Sequence, residues 1–190
     1  SAGIQVFVES DAGLGVGITD DNYIDAGATV IGDPEELISV SKVVIKVKEP
    51  NIAECKLLQP HQILFCYLHL AAFPEQTRLL CESGVTAVGF ETVSTSDGQL
   101  PLLKPMSQIA GRLAVQNAVH FLQKHEGGRG VLMSGVGGVE RGKILIIGGG
   151  TAGENAASIG VGLGAEVTIF DRSLARLDYL ADKFGSNLNY

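Results

Sequence analysis

No basic run stands out in this chain. Lys and Arg number 14 against 21 Asp and Glu, a formal charge of −7. Clustered cations are what a nucleic-acid surface requires, so that class of partner is set aside. Long apolar runs are missing as well. No stretch approaches the roughly 18–20 residues that cross a bilayer, and no membrane association is expected. The first residues, SAGIQVFVES, lack the charged-then-apolar build of a signal peptide. Cysteine is scarce: Cys55, Cys66 and Cys81 are odd in number, none sits in a CxxC pair, and the one CxxH spacing, Cys66 to His69, has no second ligand pair to go with it. That excludes a compact thiolate metal site, and the three read as reduced thiols of a cytoplasmic protein. Tryptophan is absent and aromatics reach only 6%, yet hydrophobic residues make up 45%, enough to build a core, so disorder is excluded.

Glycine, by contrast, is abundant, at 25 of 190 residues. In a chain with clear strands, this means tight βα turns and close backbone contact with a ligand. The length suits one full domain and part of another.

Strand-like and helix-like runs alternate. Residues 3–9, 29–32, 42–48, 62–68 and 86–93 read as strands. Between them, 19–28 has Thr19 or Asp20 as cap, and 33–39 has Asp33 before Pro34. Residues 52–58 and 73–84 complete the helices, the latter closed by Gly84. This alternation implies βαβ crossovers and a mostly parallel sheet. After 95 comes an irregular passage, then a helical period over 107–125 with Ile109, Leu113, Ala114, Phe121 and Leu122 as packing positions. Residues 126–142 carry seven glycines, as a linker or ligand-contacting loop does, and a second βαβ pattern opens at Lys143. The expected organisation is α/β with two Rossmann-like parallel-sheet domains. A substrate domain (1–125, with connecting helix 107–125) and a linker (126–142) precede the start of a dinucleotide-binding domain (143–190).

The most specific motif lies in KILIIGGGTAGENAASIGVGLGAEVTIFD, residues 143–171. The spacing Gly148-x-Gly150-x-x-Gly153 fits G-x-G-x-x-G. Gly148 permits the tight turn, Gly150 lets the backbone approach a pyrophosphate, and Gly153 lets helix pack on strand. Thr151 and Ala152 open the helix whose N-terminal N–H groups would face the anion. Asp171 follows Gly153 by 18 residues, at the end of the second strand. There a carboxylate accepts both ribose hydroxyls and repels a 2′-phosphate, which points to NAD rather than NADP. Arg172 beside it softens that preference. Strand, turn, helix, strand and acid occur in the order the motif requires.

The stretch ILFCYLHLAAF (63–73) reads as a strand buried on both faces, with His69 at its exit. An imidazole there either serves the core, bonded to a backbone carbonyl, or moves a proton. The strand before it ends at Lys48, with one short helix between. If the two are parallel neighbours, their carboxyl ends lie about 4.8 Å apart, where open α/β sheets bind ligands. A hydride-transfer enzyme needs a proton carrier and a cation that polarises a carbonyl, because the cofactor moves only the hydride. His69 and Lys48 suit those roles. Lys46 is either solvated or a second substrate contact. Tyr67 and Met106 can line a substrate site as well as pack.

The blocks VVIKVKEP, ILFCYLHLAA, FETVSTSDGQLPLLKPMSQIAGRLAVQNA, GGRGVLMSGVGGV and IIGGGTAGENAASIGVGLGAEVTIFD resemble, in order, those of the NAD-dependent L-alanine dehydrogenases. The resemblance spans essentially the whole chain. It implies reversible oxidation of L-alanine to pyruvate and ammonium with NAD, Lys48 as the lysine on the substrate and His69 as acid/base. It also implies that Ser107 and the glycine turn line the cofactor, that Asp171 holds the adenine ribose, and that the protein is a homohexamer. Gly137 stands where the family has proline, which loosens the loop, and Gln108 where it has glutamate. The family's substrate-carboxylate arginine would precede Ser1, and its further nucleotide-domain strands, with an aspartate near the histidine, would follow Tyr190. An internal fragment is therefore expected. The NAD-binding subunit of proton-translocating transhydrogenases resembles the same family, and a non-catalytic nucleotide module is a third reading. Lys48 and His69 favour the dehydrogenase.

Overall fold

The computed structural model describes residues 3–190 and divides into two compact units, Ser1–Val93 and Ser94–Tyr190. The first two residues of the expected 1–125 domain lie outside the described residues.

In the first unit, β1 (Phe7–Glu9) pairs in parallel with β2 (Thr29–Ile31). A second parallel sheet has the order β3 (Val43–Ile45), β4 (Ile63–Cys66), β5 (Thr86–Gly89). Helices α1 (Asp20–Asp25), α2 (Pro34–Val40), α3 (Ile52–Leu57) and α4 (Pro74–Ser83) lie between strands. Their starts follow the capping chemistry of the sequence. Thr19 and Asn51 form capping boxes with Asn22 and Glu54, and Asp33 caps ahead of Pro34. The core gathers Ile38, Cys55, Leu58, Leu64, Cys66 and Leu80. Buried Gln62 ties α2 to β4: its Nε2 donates to Ile38 O and Ser41 O, both at 2.7 Å, and its Oε1 accepts from Gln59 N at 2.8 Å.

Two expectations change here. The strands are shorter than their apolar runs: β3 ends at Ile45 and β4 at Cys66. And β4 is not buried on both faces: Leu64 and Cys66 are fully buried, but Ile63 is 41% exposed.

In the second unit, α5 (Leu103–Phe121) precedes β6 (Lys143–Ile147), α6 (Thr151–Gly162), β7 (Glu166–Phe170) and α7 (Leu174–Phe184). β6 and β7 are parallel. Asn189 also forms an isolated parallel bridge to Thr168. Two strands alone were expected in 143–190. The helix expected over 107–125 begins four residues earlier and ends at Phe121, with Lys124–Glu126 as a separate 3₁₀ turn. Its buried face is also not the expected one. Ile109, Leu113, Ala114 and Phe121 are exposed; of the expected positions Leu122 does pack on the core, beside Val119, while Gly111 and Val115 are the buried ones. Periodicity marked apolar residues on two faces. Gly111 decides between them, because only a residue without Cβ can meet α6 so closely: a Cβ there would stand 2.0 Å from Ala152 O. The glycine-rich passage is ordered at its tip, where Val136 and Val139 exchange hydrogen bonds of 3.2 and 2.8 Å across Gly137-Gly138.

Candidate active site and nucleotide turn

The β3–β4 register sets Ile45 against Phe65. Beyond the strand ends the ladder continues, with Lys46 N–H donating to Phe65 O at 3.2 Å and Tyr67 N–H to Val47 O at 3.0 Å. The carboxyl ends are thus neighbours, as the argument from spacing required. The register also has a consequence that the spacing argument missed: it brings Glu49 to His69, with Oε2 to Nε2 at 3.9 Å.

His69 is held from several sides. Its backbone is left-handed, φ 47°, a region that non-glycine residues enter at a cost. Glu91, just past β5, pays for it: its Oε1 accepts from Leu68 N at 3.1 Å and His69 N at 3.0 Å. Burial pushes the Glu91 carboxyl up, but the N–H donors of Glu91, His69 and Leu68 and the His69 charge outweigh it and hold the group below its ordinary range. His69 O accepts from Ala72 N at 2.8 Å, closing the turn. The imidazole lies parallel to the Tyr67 ring, 5.5 Å between centroids at 14°, and remains 42% exposed. Tyr67 is buried and meets Phe90 edge-on at 5.4 Å. So the imidazole is not a fully buried core group. The ring is half open to solvent, and it is the backbone, not the ring, that serves the turn.

The two lysines separate. Lys46 Nζ sits 2.5 Å from Glu54 Oε1, while Glu54 also accepts from Asn51 N at 2.6 Å in the α3 cap. Lys46 therefore anchors α3. Lys48 is exposed and has no ion pair among the described residues, which leaves its ammonium available. Cys55 and Cys66 are buried, and that burial pushes the Cys66 thiol up to about 11 and raises Cys55, which disfavours the thiolate at both.

In the second unit, the glycine turn joins β6 to α6. Gly148 has φ 102° and donates to Phe170 O at 2.7 Å. A Cβ on Gly153 would lie 1.9 Å from Gly148 O, so the close helix–strand contact admits only glycine. Gly150 is the N-cap of α6, no side chain caps it, and a Cβ there would meet open space. Thr151, Ala152 and Gly153 form the first turn. Asp171, at the end of β7, accepts from Gly149 N at 2.6 Å and Ser173 N at 2.8 Å. These donors, Ser173 first, hold its carboxyl below the usual range. Arg172 is exposed and unpaired among the described residues. The cation that reaches the turn is Arg176, which the sequence reading missed. Its Nε donates to Gly149 O at 2.5 Å and its guanidinium pairs with Glu154 and lies over Tyr179. Glu154 also takes Lys183 at 2.5 Å. Half-buried Ser107 stands one helical turn before Gly111, on the face of α5 that meets α6, and Met106 beside it is 38% exposed. An uncapped helix start, a Cβ-free approach and an ionised acid at the second strand end together fit a dinucleotide.

Glu49 and Glu91 were missed as well. Both stand just beyond a strand end next to β4, the signal that found Lys48 and His69, but without known register nothing ranked them.

The fold is parallel α/β, with a half-exposed imidazole beyond one set of strand ends and, in the second unit, a glycine-rich βα turn facing an acid at the next strand end. The chain belongs to the alanine dehydrogenase/PNT family: its N-terminal-domain model matches residues 1–110 and its C-terminal-domain model residues 114–190. The alanine dehydrogenase of Bacillus subtilis is 50% identical over 99% of this chain and 49% of its own length. Among solved structures, an L-alanine dehydrogenase superposes with a TM-score of 0.87 at 50% identity, over 99% of this chain and 52% of the other. A transhydrogenase from Sinorhizobium meliloti gives 0.74 at 26% identity, over 95% and 53%. The chain spans about half the length of the curated relatives it matches. Among the described residues, no helix is long and apolar enough to cross a membrane.

Proposed function

We propose that this chain forms the substrate half and the opening of the nucleotide half of an L-alanine dehydrogenase. L-Alanine, water and NAD⁺ become pyruvate, ammonium, NADH and a proton. The observation that carries the reading is His69, half exposed at the β4 exit on a strained backbone that Glu91 and Ala72 hold in place. Strain maintained at an exposed titratable residue marks function more than folding.

In this reading NAD supplies the hydride acceptor when bound. Gly148 to Gly153 would face its pyrophosphate, Ser107 would line the cofactor and Asp171 would hold its adenine ribose. Lys48 places its ammonium on the substrate carbonyl oxygen, where negative charge grows. Tyr67 stacks on the imidazole on the substrate side, and Met106 remains a candidate substrate contact. His69 takes the proton released as water adds at the α-carbon and returns it as the bonds change. The proposed organisation is a substrate domain over 1–125, a linker over 126–142 and a nucleotide domain from 143, in a cytoplasmic homohexamer.

In the complete polypeptide, L-alanine-dependent NADH formation tests this. His69→Ala should lower kcat by about 10²–10⁴, the usual worth of general acid–base catalysis, with NAD affinity nearly intact. Lys48→Ala should weaken both turnover and pyruvate binding, and Lys48→Arg should not restore them. Asp171→Ala should weaken NAD binding and narrow the gap to NADP. Hydride transfer between two nucleotides with no response to L-alanine would favour the transhydrogenase reading.

A further inference from the structure

Glu49 has a carboxylate oxygen that nothing satisfies. The side chain is 17% exposed, and Oε2 is shut off from solvent with no hydrogen-bond donor among the described residues. Such an atom carries a desolvation cost that a partner normally offsets. Pro50 behind it is buried and offers no N–H. The donor within reach is His69, whose Nε2 lies 3.9 Å away. Closing that gap to a hydrogen bond takes about 1 Å of side-chain movement.

The charged and titratable groups around the imidazole come from each neighbouring strand. Glu49 approaches from the β3 side, with Lys48 next to it as an exposed cation. Glu91, from the β5 side, spends its carboxylate on the Leu68 and His69 N–H groups. Tyr67, from β4 itself, covers one face of the ring. Of these, only Glu49 presents an unused acceptor to a ring nitrogen.

We propose that Glu49 is a positioning residue for His69: its carboxylate accepts from Nε2–H, fixes the tautomer and orientation of the ring, and stabilises the imidazolium. Nδ1 is then the nitrogen that exchanges protons. A proton arriving there makes imidazolium beside a carboxylate, a neutral pair, and leaves by the same nitrogen. The proposal rests on His69 being the acid/base of the reading above.

The test uses the complete polypeptide and separates position from charge. Glu49→Gln keeps an acceptor of the same shape without the charge, whereas Glu49→Leu removes both. Imidazole ¹⁵N shifts, assigned against His69→Ala, report which ring nitrogen holds the proton. The unmodified protein and Glu49→Gln should show His69 as a single Nε2–H tautomer, and Glu49→Leu a mixture. In Glu49→Gln the limb of the kcat profile lost in His69→Ala should move to lower pH by about one unit. In Glu49→Leu kcat should fall about 10²-fold or more, with KM for NAD unchanged. An unmoved profile in Glu49→Gln, or mixed tautomers in the unmodified protein, overturns the proposal. If Glu49→Leu fails to fold, the Glu49→Gln profile and the unmodified tautomer still decide. If the unmodified polypeptide does not oxidise L-alanine, the functional reading falls, and the tautomer measurement alone judges the Glu49–His69 pairing.

Discussion

His69 carries two separable duties, one in its backbone and one in its ring, and substitutions can tell them apart. At φ 47° a side chain costs about 1–2 kcal/mol that glycine does not incur. His69→Gly should therefore be more stable than His69→Ala by about 0.5–1 kcal/mol in urea unfolding, the reverse of the order expected in a regular element. Both should be equally inactive. Equal stabilities would mean that the turn relaxes to accept alanine. Glu91 gives a pH-dependent companion. Its folded carboxyl lies below the ordinary range, so its contribution is fully present above the unfolded value of about 4.3 and is lost as pH falls through the folded value. The stability gap between the protein and Glu91→Gln should be constant near neutrality and close on acidification below about 4.5. A gap that widened in acid would contradict the assigned direction.

At the scale of elements, parallel pairing sets what can meet. One register brings Glu49 to His69, and a shift by one residue would turn these side chains to the opposite face. In the second unit the comparable constraint is the contact of α5 with the start of α6. Gly111→Ala would drive a Cβ to 2.0 Å from Ala152 O, a backbone atom that cannot step aside as a side chain does. The substitution should cost about 1–3 kcal/mol, as overpacking does, and move the first turn of α6. In the complete polypeptide, Gly111→Ala should therefore melt lower and bind NAD more weakly by titration calorimetry. Normal NAD affinity with a lowered Tm would confine the effect to packing.

At the scale of the molecule, each unit leaves sheet surface uncovered. In the second, Leu145, Ile147 and Phe170 are 58%, 83% and 54% exposed. In the first, Val43, Ile45 and Val47 are 50%, 68% and 61% exposed at one sheet edge. Open apolar edges recruit further strands or other molecules. Residues 1–190 expressed alone should therefore self-associate in sedimentation and give no saturable NADH formation with L-alanine. A monodisperse, active product would show that these surfaces need no further cover.

Local chemistry determined much of this protein before any fold was considered. Caps at Thr19, Asp33 and Asn51, the alternation of strand and helix, and the glycine turn with Asp171 are all written within a few residues of where they act. So is the candidacy of Lys48 and His69, which requires only that strands end there. Three things lay outside its reach because they depend on pairs distant in sequence. The buried face of α5 was one, since Gly111 acquires its meaning only from Ala152, 41 residues on. The partners of the imidazole, Glu49 and Glu91, were another, set by the register of two separate strand pairs. The last was the division of labour among the cations. Lys46 and Lys48 look alike in sequence, as do Arg172 and Arg176, and only the tertiary structure, by placing Glu54 and Glu154, commits one of each pair to an ion pair and leaves the other exposed.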